Sequence, residues 1–198
     1  MPAPTEPPAL EWRPVARLPL VVMGVSGSGK TTFGGACAAA LTLPFVDGDD
    51  LHSQGNIDKM RRAQPLTDDD REPWLRAIVS CLADASTYGQ GVVVACSALE
   101  VAYRDTLRRA SGVRFIFLEA DRASTEARLR ARTQHFMPAA LLESQFAALE
   151  LPTSAEPDIL TLPGTMAPAL AVRAALEELE REGLVSRRGK RAASAPRT

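Results

Sequence analysis

Short apolar runs alternate along the chain with segments in which apolar residues recur every three or four positions. A short apolar run is typical of a buried strand, and the longer spacing is typical of a helix packed on one face. The predicted strands cover residues 18–23, 44–46, 92–96, 114–118 and 158–162. Because helical segments separate these five strands, the pattern predicts an α/β fold with a five-stranded parallel sheet and helices on both faces.

The predicted helices lie between and after these strands. They cover about 33–41, 57–61, 101–110, 124–132 and 170–182, and two more begin near Asp69 or Asp70 and at Pro138. Pro73 is expected in the first turn of its helix, where a proline breaks no intrahelical hydrogen bond. Ligands of such sheets bind at the carboxyl ends of the strands, so the residues that follow each strand are the first candidates for a site.

The turn between the first strand and the first helix matches the phosphate-binding pattern G-x-x-x-x-G-K-[ST] in full. It consists of Gly24, Val25, Ser26, Gly27, Ser28, Gly29, Lys30 and Thr31, with Thr32 next to it. The glycines let successive backbone N–H groups point at an anion, and the helix N-terminus adds positive potential there. Lys30 is expected to reach the β- and γ-phosphates and Thr31 to ligate Mg²⁺. The alternative is an ordinary glycine-rich turn, but the strand–loop–helix order favours ATP and Mg²⁺ as cofactors.

The composition describes one folded domain and excludes several classes of protein. The chain has 198 residues, of which 45% are hydrophobic and 24% charged, and a net charge of −1 gives no reason to expect a nucleic-acid partner. Three cysteines without paired spacing predict neither a disulfide framework nor a zinc site and fit a cytoplasmic location. No segment is long and apolar enough to span a membrane.

The two ends of the chain differ in composition from the middle. Six prolines precede residue 20, which predicts a disordered leader over 1–17. Arginine and lysine among alanine, serine and proline predict a disordered basic tail over 186–198. The folded domain is therefore predicted to cover 18–185.

Two acids follow the second predicted strand. Asp47 and Asp49 are two residues apart in an extended segment and lie on one side of it. The third strand ends in Ala95-Cys96-Ser97 and offers no carboxylate. We therefore expect Asp47 to serve the metal and Asp49 to orient or deprotonate an acceptor hydroxyl, although the division between them stays open. The alternative for both is an Asx-turn at the end of the strand.

Several polar residues near this edge are candidates for holding an acceptor. His52 is able to hydrogen-bond a polyol hydroxyl, or is merely solvated. Lys59, Arg71 and Arg104 would supply positive charge to an anionic acceptor, with an ion pair to one of the acids at 68–70 as the alternative for Arg71. Ser97 joins this set because it follows the third strand.

Arginines follow the fourth strand. Arg128 and Arg132 are four residues apart and share a helix face, just before a polar break at 133–137. They predict a lid over about 128–140 that closes on ATP and stabilises charge on the transferring phosphoryl group. The alternative is a solvated basic helix face.

Taken together, the motifs resemble those of the gluconokinase family of carbohydrate kinases. The resemblance covers roughly residues 20–162. Beyond the phosphate loop it comprises Asp47-Gly48-Asp49, Leu51-His52, Asn56, Lys59-Met60, Pro65-Leu66, Asp68-Asp69-Asp70-Arg71, Pro73-Trp74-Leu75, Cys96-Ser97-Ala98-Leu99, Tyr103-Arg104-Asp105, Arg132, His135-Phe136, Ser144-Gln145-Phe146 and Leu149-Glu150.

The resemblance implies ATP-dependent phosphorylation of the C6 hydroxyl of D-gluconate. It implies a phosphate-loop fold of three layers like that of the small nucleoside-monophosphate and shikimate kinases, with a lid, and commonly a homodimer. The product, 6-phosphogluconate, would feed the pentose phosphate or Entner–Doudoroff route. Lys30, Asp49 and Arg132 would be catalytic, and His135 would join the acceptor-binding residues.

Some positions depart from the family pattern. Glu100 stands where the family usually has lysine, and it reverses the charge next to the predicted site. Gln134, Ser53 and Ala63 replace a usual glycine, proline and glycine. Two alternatives therefore stay open: a kinase of the same fold for another acceptor, such as shikimate or another aldonate, and an ATP-binding regulatory protein that has lost catalysis.

Overall fold

A five-stranded parallel sheet forms the centre of the protein, which we describe from a computed structural model over residues 12–131 and 139–187. The strands of the described residues are β1 (Trp12–Pro14), β2 (Leu18–Met23), β3 (Phe45–Asp47), β4 (Gly91–Ala95), β5 (Arg114–Glu119), β6 (Ile159–Pro163) and β7 (Val185–Arg187). The order across the central sheet is β3-β4-β2-β5-β6, and all neighbours are parallel. This sheet confirms the predicted fold class.

Helices cover both faces of the sheet. Within the described residues they are α1 (Lys30–Leu41), a 3-10 helix (Gly48–Leu51), α2 (Gln54–Arg61), α3 (Asp68–Ala83), α4 (Ala85–Tyr88), α5 (Val101–Leu107), α6 (Arg122–Ala131), α7 (Ala139–Ala148) and α8 (Pro168–Arg181). None of these helices has the length and apolar character needed to cross a membrane.

The central strand β2 divides the core in two because its side chains alternate between faces. Leu20 and Val22 pack with residues of α1 and α8 on one side. Val21 and Met23 pack with residues of α3 and α5 on the other. A strand buried on both faces reads as a continuous apolar run, which is why this sequence pattern predicted it correctly.

Helix α3 begins earlier than its sequence suggests. Thr67 and Asp70 form a capping box, in which the Thr67 hydroxyl accepts a hydrogen bond from Asp70 N and the Asp70 carboxylate accepts one from Thr67 N. Pro73 therefore lies in the second turn rather than the first, and the prediction of its position was wrong. The helix continues through it without the hydrogen bond that Pro73 cannot donate to Asp69.

The ends of the described chain pair with each other, which corrects both predicted boundaries. Strand β1 runs antiparallel to β7, so Trp12 lies opposite Arg187. The Trp12 side chain is buried, and the Arg187 guanidinium lies 4.6 Å from its ring centroid. Residues 12–17 and 186–187 thus belong to the folded domain. The rest of the predicted leader and tail, and residues 132–138 of the predicted lid, lie outside the described residues.

Candidate active site

The phosphate loop connects β2 to α1 and has a tightly curled backbone. Gly24, Gly27 and Gly29 have positive φ angles of 142°, 79° and 100°. A Cβ atom at Gly24 would lie 2.8 Å from the Leu118 carbonyl oxygen, so only glycine fits there. Because α1 begins directly after the loop, its N-terminal N–H groups add positive potential at the same place.

The Ser28 hydroxyl shows that this loop fits a phosphate. Its oxygen is buried and has no hydrogen-bond partner among the described residues. A buried hydroxyl without a partner is unfavourable, and this residue lines a cavity beside the loop. A phosphate oxygen in the cavity would supply the missing partner.

Lys30, Thr31 and Asp47 lie together at the start of α1 and the end of β3. The Lys30 ammonium donates to the Val25 carbonyl oxygen at 2.9 Å, and the Thr31 hydroxyl donates to Asp47 Oδ2 at 2.9 Å. Asp47 Oδ1 accepts a hydrogen bond from Asp49 N at 3.1 Å, so Asp47 also caps the 3-10 helix. A hydroxyl and a carboxylate oxygen are donors that Mg²⁺ accepts beside nucleotide phosphates, so these residues fit that ion.

A cavity of about 280 Å³ lies beside Lys30 at the carboxyl edge of the sheet; we call it the acceptor cavity. Six of the residues predicted from the sequence line it: Ser26, Lys30, Asp49, His52, Arg71 and Ser97. They come from four separate segments, which the parallel strands bring to one edge. The structure therefore brings Lys30, Asp49 and Arg71 together at one cavity.

His52 is held against the wall of the acceptor cavity. Its ring stacks on Trp74 at a centroid distance of 4.6 Å and an angle of 7°. The Trp74 indole N–H donates to the Gly48 carbonyl oxygen at 2.7 Å, which fixes the stacked pair. Burial, with the nearby charge of Arg71, lowers the pKa of His52 to about 4. At neutral pH His52 is therefore an uncharged imidazole that can donate one hydrogen bond and accept another.

Arg71 is oriented by two neighbours. It donates to the Tyr103 hydroxyl at 3.0 Å, and that hydroxyl donates to Asp68 Oδ1 at 2.6 Å. Burial, and then the bond to Asp68, raises the pKa of Tyr103, so the phenol stays protonated. Arg71 also contacts Asp68 at 3.4 Å, so the ion pair considered as an alternative coexists with a place in the cavity. Glu100 lines the same cavity and brings a negative charge to it.

Arg104 is not part of the acceptor cavity, which corrects its predicted role. Its side chain is fully buried and forms a bidentate ion pair with Glu156 at 2.7 and 2.8 Å. Its remaining nitrogen donates to the carbonyl oxygens of Leu99 and Glu150 at 3.0 and 3.1 Å. These hydrogen bonds occupy the guanidinium. Arg104 therefore stabilises the Ser97–Ala98–Leu99 turn and does not face the acceptor cavity.

Lys59 also lies away from the acceptor cavity. Its ammonium bonds both oxygens of Asp70 at 2.6 and 2.8 Å. Asp70 is the acid of the α3 capping box, so the ion pair joins α2 to α3. The predicted contact of Lys59 with an acceptor is thus replaced by a structural one.

A second cavity of about 500 Å³ borders the same loop, and we call it the donor cavity. It is lined by Gly27, Ser28, Gly29, Thr32 and Arg128, and by the turn 163–168 that follows β6. Arg128 donates to the Gly164 carbonyl oxygen at 2.7 Å and approaches the Gly27 carbonyl oxygen at 3.5 Å. Arg128 therefore lies beside the phosphate loop, and its predicted contact with ATP stays a prediction. Arg132 and His135 lie outside the described residues.

Sequence reasoning missed three features of the site. Gln145 lines the acceptor cavity, and its side chain accepts a hydrogen bond from Ser26 N. The turn 163–168 forms one wall of the donor cavity, and Tyr103 orients Arg71. Gln145 and Tyr103 stand in the family motifs but were given no role there. The turn also had a usable signal, because Pro163, Gly164 and Pro168 follow a strand at the edge where ligands bind.

Comparison with known proteins identifies the relatives of this chain. A family model described as shikimate kinase matches residues 26–154. Thermosensitive gluconokinase of Escherichia coli K12 is 46% identical over 143 residues, which are 72% of this chain and 76% of that protein. Gluconokinase of Gluconobacter oxydans is 45% identical over 141 residues, covering 71% of this chain and 79% of that protein.

A solved structure is also similar to this chain. The crystal structure of a gluconokinase from Sinorhizobium meliloti 1021 superposes with a TM-score of 0.76 and 45% sequence identity. The match covers 84% of this chain and 93% of that one. The likeness therefore spans most of both chains.

Proposed function

Because this chain belongs to the gluconokinase family, within the shikimate-kinase-like phosphate-loop kinases, we propose that it transfers the γ-phosphoryl group of ATP to the C6 hydroxyl of D-gluconate. The products would be 6-phospho-D-gluconate and ADP. The observation that carries the proposal is the acceptor cavity, in which Lys30, Asp49 and Arg71 come together beside the phosphate loop.

The donor half of the site has room and chemistry for Mg·ATP. The loop N–H groups and Lys30 would hold the phosphates, and the donor cavity beside Arg128 would take the nucleoside. Thr31 and Asp47 would hold Mg²⁺, whose charge offsets the negative charge that develops on the phosphate oxygens.

The acceptor half would position one hydroxyl of gluconate for in-line attack. Asp49 orients that hydroxyl and takes its proton as the new O–P bond forms and the bond from the γ-phosphorus to ADP breaks. Arg71 pairs with the sugar-acid carboxylate, and the neutral His52 hydrogen-bonds a hydroxyl of the chain. Lys30 stabilises charge on the phosphoryl group during transfer.

An assay of ADP release with Mg·ATP and a panel of acceptors tests the function. We expect turnover with D-gluconate and little with shikimate or other aldonates. Lys30→Ala should abolish turnover. Asp49→Asn should lower kcat about 100-fold or more while ATP affinity changes less than about threefold, since the acid acts on the acceptor.

Each contrary result has its own meaning. Turnover restricted to another acceptor would leave the kinase chemistry standing but contradict gluconate as substrate. ATP binding without turnover on any sugar acid would indicate the regulatory protein. Normal kcat in Asp49→Asn would contradict its role as base.

The family resemblance also supports a homodimer located in the cytoplasm. Sedimentation of the purified protein at micromolar concentration, and fractionation of cells that express it, would test these two points.

A further inference from the structure

Gln145 joins helix α7 to the phosphate loop. Its carboxamide oxygen accepts a hydrogen bond from Ser26 N at 2.6 Å, across 119 positions of sequence. Both residues line the acceptor cavity, together with Lys30 and Asp49. Gln145 therefore lies where the phosphate loop meets the acceptor cavity, and the family motif that includes it assigns it no role.

The bond to Ser26 fixes which end of the amide faces the loop. A backbone N–H can only donate, so the carboxamide oxygen must point toward Ser26. The amide nitrogen of Gln145 then points the other way. Because the oxygen of the amide is held by Ser26 N, its two N–H donors have a fixed direction at the boundary between the phosphate loop and the acceptor.

Packing holds α7 against the loop and so limits the movement of Gln145. Leu142, on the same helix, is buried against Val25 of the loop and Leu99. Directly after the helix, Glu150 N donates to the Leu99 carbonyl oxygen at 3.0 Å. The helix that carries Gln145 is thus anchored both to the phosphate loop and to the turn that contains Leu99.

We propose that the Gln145 amide nitrogen donates a hydrogen bond to an oxygen of the transferring γ-phosphoryl group, which makes Gln145 a catalytic residue. The proposal rests on the kinase function proposed above. Negative charge is spread over the three equatorial oxygens of this group during transfer, and a donor fixed in advance lowers the barrier most. Lys30 approaches the group from the loop side, and Gln145 does so from α7.

The variant Gln145→Glu separates this role from a structural one. Glutamate has the same shape and still offers an oxygen to Ser26 N, so the link between α7 and the loop is retained. It replaces the N–H donors by a negatively charged oxygen. ATP has a γ-phosphoryl group that this charge would repel, and ADP has none. The variant should therefore weaken the binding of ATP more than the binding of ADP.

The experiment measures the Kd of a non-hydrolysable ATP analogue and the Kd of ADP, with Mg²⁺ and without acceptor. In Gln145→Glu we expect the ratio of the two constants, analogue to ADP, to rise at least about fivefold and kcat on gluconate to fall about 100-fold. Gln145→Met, which has similar volume and no polar group, should lower kcat by a similar factor while the Kd of ADP stays within about threefold of that of the unmodified protein.

Gln54→Glu is the matched control. Gln54 is exposed on α2, where its amide bonds Asp58, so this variant adds the same charge outside both cavities. Its nucleotide ratio and its kcat should equal those of the unmodified protein. The proposal is overturned if the ratio of the two constants in Gln145→Glu rises less than fivefold or equals that of the control. It is also overturned if kcat in Gln145→Met stays within threefold of normal.

The two nucleotide measurements use no acceptor. Their outcome therefore decides the role of Gln145 even if the acceptor panel shows that gluconate is not the substrate. Failure of the unmodified protein to use gluconate would count against the proposed function alone.

Discussion

Glu100 places a negative charge in the cavity that is proposed to bind a sugar acid. Among the described residues, the charged ones that line this cavity are Lys30 and Arg71, which are positive, and Asp49 and Glu100, which are negative. If Lys30 serves the phosphates and Asp49 the reacting hydroxyl, Arg71 is left to attract the carboxylate of gluconate and Glu100 to repel it. The position of Glu100 in this cavity therefore bears on affinity for the acceptor.

We expect Glu100→Gln to lower the KM for gluconate about three- to tenfold with little change in kcat. A like-charge contact across a cavity of this size costs about 1–2 kcal/mol, and water screens part of it. Steady-state kinetics at low and high ionic strength measure the effect, which should shrink in salt.

Glu72→Gln provides the control for the change in net charge. Glu72 is an exposed residue of α3 that pairs with Arg76, outside both cavities. An equal fall in KM in both variants would mean that overall charge, rather than the position of Glu100, controls acceptor binding.

Helix α5 and the segment before β6 are joined by a group of ion pairs centred on the buried side chains of Arg104 and Glu156. Arg104 and Arg108 both bond Glu156, at 2.7 and 2.8 Å, and Arg108 also bonds Asp158. The bonds from the arginines lower the pKa of Glu156 to about 2, so the acid stays charged. This group fixes the turn that precedes α5, from which Ser97 reaches the acceptor cavity.

Arg104→Met should lower the free energy of unfolding by about 3–5 kcal/mol. The change removes the bidentate partner of Glu156, which keeps its bond to Arg108, and the donor to the Leu99 and Glu150 carbonyls. Removing one partner of a buried ion pair costs about this much. Urea denaturation measures the loss. Arg173→Met, which removes an exposed pair with Glu177, should cost less than about 1 kcal/mol, and an equal loss in both would contradict the argument.

The misplaced role of Arg104 shows what a local pattern cannot supply. Its position after the third strand of the sequence pattern correctly predicted a place near the carboxyl edge. It did not predict the rotation of α5, which decides whether a side chain points to the cavity or to Glu156. That rotation depends on packing with α3 and with a segment 50 residues away, as the separations of 48 to 52 positions in these ion pairs show.

Features that lie within a short stretch of sequence were predicted well, because their geometry does not depend on contacts with distant segments. The loop from Gly24 to Thr31 carries its glycines, its lysine and its helix start within eight positions, so spacing alone determines its geometry. Contacts that cross the chain, such as that of Gln145 with Ser26 or of Arg128 with Gly164, arise only when the sheet is assembled.

The sheet gives the protein two cavities that share one loop. The donor cavity is completed by the turn after β6, at one edge of the sheet, and the acceptor cavity by residues that follow β3 and β4, at the other. The pairing of β1 with β7 then ties the ends of the described chain to the core through Trp12. Strands of only three residues leave no periodic pattern, which explains why this pairing was missed.

His52 and Glu156 are among the groups that make the stability of the folded protein depend on pH, and they act in separate windows. The pKa of His52 is lowered to about 4 from an ordinary value of 6.5, so between these values the unfolded chain binds a proton that the folded protein excludes. Stability therefore falls as pH drops from about 6.5 toward 4. The pKa of Glu156 is lowered from 4.5 to about 2, so its contribution is present above pH 4.5 and is lost as pH falls from there toward 2.

His52→Phe isolates the first window because phenylalanine keeps an aromatic ring on Trp74 but cannot titrate. Between pH 7.5 and 5.0 the unmodified protein should lose about 1–2 kcal/mol more of its free energy of unfolding than the variant, after allowance for partial solvent access to the ring. The other titratable groups are present in both proteins and contribute alike to both curves. Urea denaturation at each pH measures the difference, and parallel curves for the two proteins over this interval would show that His52 is not buried in its neutral form.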